Sequence, residues 1–91
     1  MRIVLTETYE ASDKMSGQAM FKLKKGSGYD AINPAYISGD AKILRLSGGD
    51  AIEKCNIDTD KYFFFYLFYT FFAVHKDNCF VPKVHNGKVN V

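Results

Sequence analysis

Apolar and polar residues alternate along the first half of this chain, and the alternation then gives way to an unbroken aromatic run. Ile3, Leu5 and Tyr9 alternate with Val4, Thr6 and Thr8, which predicts a first strand. Ala19, Phe21 and Leu23 alternate with Met20, Lys22 and Lys24, a second strand with one wet face. Residues 11–17 form a polar connection of the length of a wide hairpin loop. Residues 26–39 make a long loop punctuated by Gly, Asn and Pro, and loops of that length are often functional or serve as covers. Ala41 to Leu46 reads as a third strand, closed by the turn signal Ser47-Gly48-Gly49-Asp50. Residues 51–57 fit either the returning arm of a hairpin or a short helical turn. At the end of the chain, 79–84 and 88–91 flank His85-Asn86-Gly87, where Asn-Gly favours a type I′ hairpin. Pro82 marks the first of those arms as an edge strand, because proline cannot donate to a ladder.

The run itself is Tyr62 to Val74, thirteen residues without a charge, nine of them Phe or Tyr. It is shorter than the ~20 residues of a transmembrane helix and falls in the range of a buried helix. Placed at 100° per residue, Tyr62, Tyr66, Tyr69, Thr70 and Ala73 gather on one side and most phenylalanines on the other. Read as a single strand, the hydroxyls mix with phenylalanines on one face. Asp58, Thr59 and Asp60 suit the start of a helix, and Lys76 suits its end. The pattern therefore predicts one long helix over about 59–76. With no internal repeat and no linker composition, residues 1–91 form a single domain. The expected fold class is α+β, a small mainly antiparallel sheet of about five strands packed against that helix.

Composition bounds the function classes. At 91 residues the core is small and leaves little surplus stability. A net charge of +2 does not by itself imply a nucleic-acid partner. Two cysteines, Cys55 and Cys79, are too few for a disulfide scaffold. The first residues lack the apolar length of a secretory signal, and no lipidation motif is present, so the default expectation is a cytoplasmic protein.

The chemistry-bearing residues form no strong set. Soft ligands are Cys55, His75, Cys79 and His85; His75-x3-Cys79 is a usable spacing, but the paired short spacings zinc favours are absent. A Cys–His nucleophile needs proximity and an orienting group that the sequence does not indicate. Asp58 and Asp60 are explained as charges at a helix start. These residues give no enzyme, cofactor or metal expectation.

Two binding readings remain. A helix on the outside of a small domain normally shows charges on its far side. Here the far side is Tyr62, Tyr66, Tyr69, Thr70 and Ala73, amphipathic residues of the kind enriched at interfaces. The first reading is thus a non-enzymatic protein–protein interaction module of inhibitor, adaptor or subunit type, self-associating or holding a protein partner through that face. The alternative is a module for a phosphate-bearing ligand, a small nucleotide or a nucleic-acid backbone. It would use Lys22, Lys24 and Lys25, an anion nest at Gly26-Ser27-Gly28, and stacking on Tyr29 and Tyr36. An interfacial membrane helix fits poorly, since lysines flank the run only at Lys61 and Lys76.

Overall fold

In the computed structural model, residues 1–12, 19–46, 48 and 51–83 are described. Their strands, in chain order, are β1 Arg2–Leu5, β2 Tyr9–Ser12, β3 Ala19–Leu23, β4 Gly28–Asp30, β5 Lys42–Arg45, β6 Ile52–Glu53, β7 Tyr62–Leu67, β8 Thr70–His75 and β9 Cys79–Phe80. Three 3-10 turns, Pro34–Tyr36, Lys54–Asn56 and Lys76–Asn78, are the helical elements among them. Among the described residues no helix reaches seven residues, so the α+β expectation and its long helix over 59–76 are wrong. The aromatic run is a β-hairpin, and the domain is all-β.

The reason lies in what covers the hairpin. Strands β7 and β8 pair antiparallel from Tyr62↔His75 to Leu67↔Thr70, joined by the two residues Phe68 and Tyr69. A two-residue turn swaps the parity of the alternation. Phe63, Phe65 and Leu67 therefore share a face with Thr70, Phe72 and Val74, while Tyr62, Phe64 and Tyr66 share the other with Phe71, Ala73 and His75. Both faces are packed, and a strand buried on both sides reads as a continuous apolar run. The turn carries no Gly, Asn or Asp, so nothing breaks the run in sequence. The helical grouping of hydroxyls comes from treating two strands as one segment.

The sheet holding this hairpin runs β6-β5-β8-β7, with β5 and β8 parallel and the other pairs antiparallel. On its first face Phe65, Phe72 and Val74 meet Ile3, Leu5, Tyr9, Leu23, Leu46 and Cys79 in one core. Apart from Leu46, which follows β5 of the same sheet, those residues arrive from a β4-β1-β9 sheet and from the β2–β3 hairpin, which has an irregularity between Ala11 and Ser12. Aromatic contacts link the layers: Tyr29 stacks on Phe65 at 4.6 Å, and Phe21 meets the edge of Phe72 at 5.2 Å. On the second face, Phe64, Ala73 and Ile43 pack with Ile37 and Ile57.

Ile37 and Ile57 reach that face by the same device. Each follows a 3-10 turn and closes it, Ile37 N–H donating to Pro34 O at 3.1 Å and Ile57 N–H to Lys54 O at 3.0 Å. They lie 20 residues apart, each preceded five residues earlier by an Ala-Ile pair at 31–32 and 51–52. The two turns echo each other locally. Residues 51–57 satisfy both alternatives, since β6 pairs back onto β5 and a 3-10 turn follows. Pro82 lies two residues past the edge strand β9. The Asn86-Gly87 hairpin, and most of the 11–17 connection and the 47–50 turn, lie outside the described residues.

Phe65 sits at the crossing of these layers, 1 % exposed, with Tyr29 on one side and Phe72 at 5.4 Å on the other. Phe65→Ala should cost about 3–5 kcal/mol, whereas Tyr36→Ala, on an 84 % exposed ring, should stay within about 0.5 kcal/mol. Urea midpoints of the two variants check the contrast; equal shifts would deny the layered core.

Candidate interaction surface

The turn between β7 and β8 is built against local preference. Phe68 and Tyr69 have φ of 53° and 59°, which defines a type I′ turn with both central residues in the left-handed region. That turn matches the twist of the flanking strands, so the hairpin favours it, but it suits Asn-Gly and not two aromatics. A bulky residue there is strained, at about 1–2 kcal/mol per residue. The rings gain no burial in return. Phe68 is 61 % exposed, Tyr69 94 %, and neighbouring Tyr66 50 %, its ring resting edge-on against Phe71 at 4.8 Å. Locally unfavourable geometry that displays three aromatic rings is the least expected feature of the molecule.

The same end of the hairpin has an open backbone edge. In the sheet order, β7 is outermost. Its only described pairing on the outer side is an isolated bridge, in which Ile32 N–H donates to Phe64 O at 2.7 Å. Outward-facing groups alternate along a strand, so Tyr66 N–H and C=O point the same way as those of Phe64, and no described residue pairs with them. Edges of this kind are normally protected by charge, proline or a bulge, and 62–74 contains none of these. Beyond the bridge, the loop at Ile32 and Pro34 and the start of β7 enclose a groove of about 340 Å³. Tyr62 and Phe64 line it, with Lys76 beside them and its ammonium 5.1 Å above the Phe63 ring.

The predicted interface residues are therefore dispersed. Tyr66 and Tyr69 are exposed at the hairpin end; Tyr62 is half-buried, its ring against His75 at 5.3 Å. Thr70 is half-buried opposite Leu67, its hydroxyl donating to Phe68 O at 3.3 Å. Ala73 is fully buried in the second core and is no contact residue. Sequence reasoning misses Phe68, because a two-residue turn without a turn-forming residue leaves no mark in the sequence. The 26–39 loop does cover part of the hairpin, through Tyr29 on Phe65 and Ile32 at Phe64, but it leaves Tyr66 and Tyr69 outside.

The phosphate-ligand residues are not assembled as a site. An anion nest needs free backbone N–H groups, and those of Lys25, Gly26 and Ser27 are engaged by Thr8 Oγ1, Leu5 O and Lys24 O. Gly26 holds a φ of 89° to make that turn, and Gly28 lies under the Arg2 side chain. Tyr29 gives a ring face to Phe65, Lys22 lies across from Glu10, and Tyr36 belongs to the turn that covers the second core.

The remaining chemistry is structural. Asp58 Oδ1 accepts from Asp60 N–H and leads the chain into β7, and His75 Nδ1 accepts from Asp77 N–H to start a 3-10 turn. Cys79 Sγ faces the His75 and Lys76 carbonyls at 3.6 and 3.8 Å, and burial pushes its thiol pKa up, partly offset by Lys76. Burial also raises the Tyr9 phenol, with Glu7 adding to it; the Asn78 side chain opposes them from nearby without forming a well-shaped hydrogen bond. Tyr9 and Arg45 line a second groove, of about 420 Å³, and Tyr9 Oη and Arg45 Nε are both buried without a partner among the described residues. No nucleophile–base pair stands among the described residues that line it. Among the described residues no helix is long and apolar enough to cross a membrane, and no group of three or more His, Cys, Asp or Glu is placed around a common metal position. No family model, curated protein or solved structure matches this chain.

The two thiols should separate cleanly. Cys55 is exposed and Cys79 buried, so a thiol-specific reagent should titrate one group quickly in the native protein and the second only on unfolding. Two fast thiols at neutral pH would contradict the packing of Cys79. For both Cys79 and Tyr9 the folded pKa is raised, so each contributes full stability below its ordinary value, 9.0 and 10.0, and loses it as pH rises through the folded value.

Proposed function

We propose that this protein is a small, non-enzymatic binding module of the inhibitor, adaptor or subunit type. Its contact surface is the end of the β7–β8 hairpin, Tyr66, Phe68 and Tyr69. One observation carries the reading: two aromatic residues occupy left-handed positions and are displayed to solvent. A turn that served only to reverse the chain would be better made from Asn-Gly. Strain kept at an exposed aromatic site is the pattern of a functional contact, where local stability is given up for recognition. Tyrosine and phenylalanine supply large contact area at little conformational cost, and tyrosine is frequent among dominant binding residues. Self-association is part of the proposal, because the surface is uncharged and so does not repel a copy of itself. A reducing, cytoplasmic setting is also part of it, supported by Cys55 and Cys79 both being free thiols.

The test is a turn exchange, Phe68→Asn with Tyr69→Gly. Removing the left-handed strain should raise stability by about 1–3 kcal/mol in urea unfolding. The same exchange should abolish association, whether with itself in light scattering at high concentration or with a protein retained in affinity purification. A more stable variant that still associates like the parent would refute the proposed surface. A less stable one would refute the strain.

A further inference from the structure

We draw no further inference here: the strongest candidate, the groove of about 420 Å³ between β2 and β5, carries nothing because neither polar group on its walls that lacks a partner among the described residues is turned into it, Arg45 alternating onto the Ile43 face of β5 and Tyr9 Oη lying beside Asn78.

Discussion

The β7–β8 hairpin is packed on both of its faces, and every other element is placed by that fact. Phe65 and Phe72 stack at 5.4 Å on one side, while Phe64 and Ala73 are buried on the other. A two-stranded ribbon in water is marginal, and one with apolar residues on both sides must be sandwiched. The β4-β1-β9 sheet and the β2–β3 hairpin supply one cover. The other is made from chain too short to form a sheet, two 3-10 turns that each press an isoleucine onto the hairpin. Burial of these aromatics is the dominant favourable term for so small a domain.

The covers stop short of the hairpin's end, and the candidate surface is what they leave. Tyr29 and Ile32 shield the middle of β7, at Phe65 and Phe64, but nothing described shields Tyr66, Phe68 or Tyr69. Two kinds of incompleteness coincide there: apolar rings in water and backbone groups that no described residue pairs with. Either alone is common on a protein surface. Their coincidence with a left-handed turn made of aromatics is not, because that turn could be relieved by ordinary substitutions.

Parts of this were legible from residue order. The alternation at 19–24 and 41–46 located β3 and β5, and the two structural options for 51–57 are both used; the single strand expected over 3–9 is instead β1 and the start of β2, which belong to different sheets. Tyr66 and Tyr69 stand out as contact candidates, although for a helical reason that does not hold. The anion nest at Gly26–Gly28 failed because glycine content says nothing about where the N–H groups point, and here they are consumed by Thr8, Leu5 and Lys24. The helix over 59–76 failed because periodicity cannot distinguish a buried helix from two doubly buried strands joined by an unmarked turn.

Residue order alone determined that most of an uncharged stretch of nine aromatics packs away from water, since apolar surface at that density is driven into a core. It also determined that no strong catalytic or metal-ligand motif accompanies that stretch. Which rings are covered, and by what, was decided by tertiary structure. Phe68 and Phe64 are the same residue in sequence terms, yet Phe64 lies under Ile37 and Ile57 and Phe68 in solvent, because only long-range packing places a cover over one and a turn beneath the other.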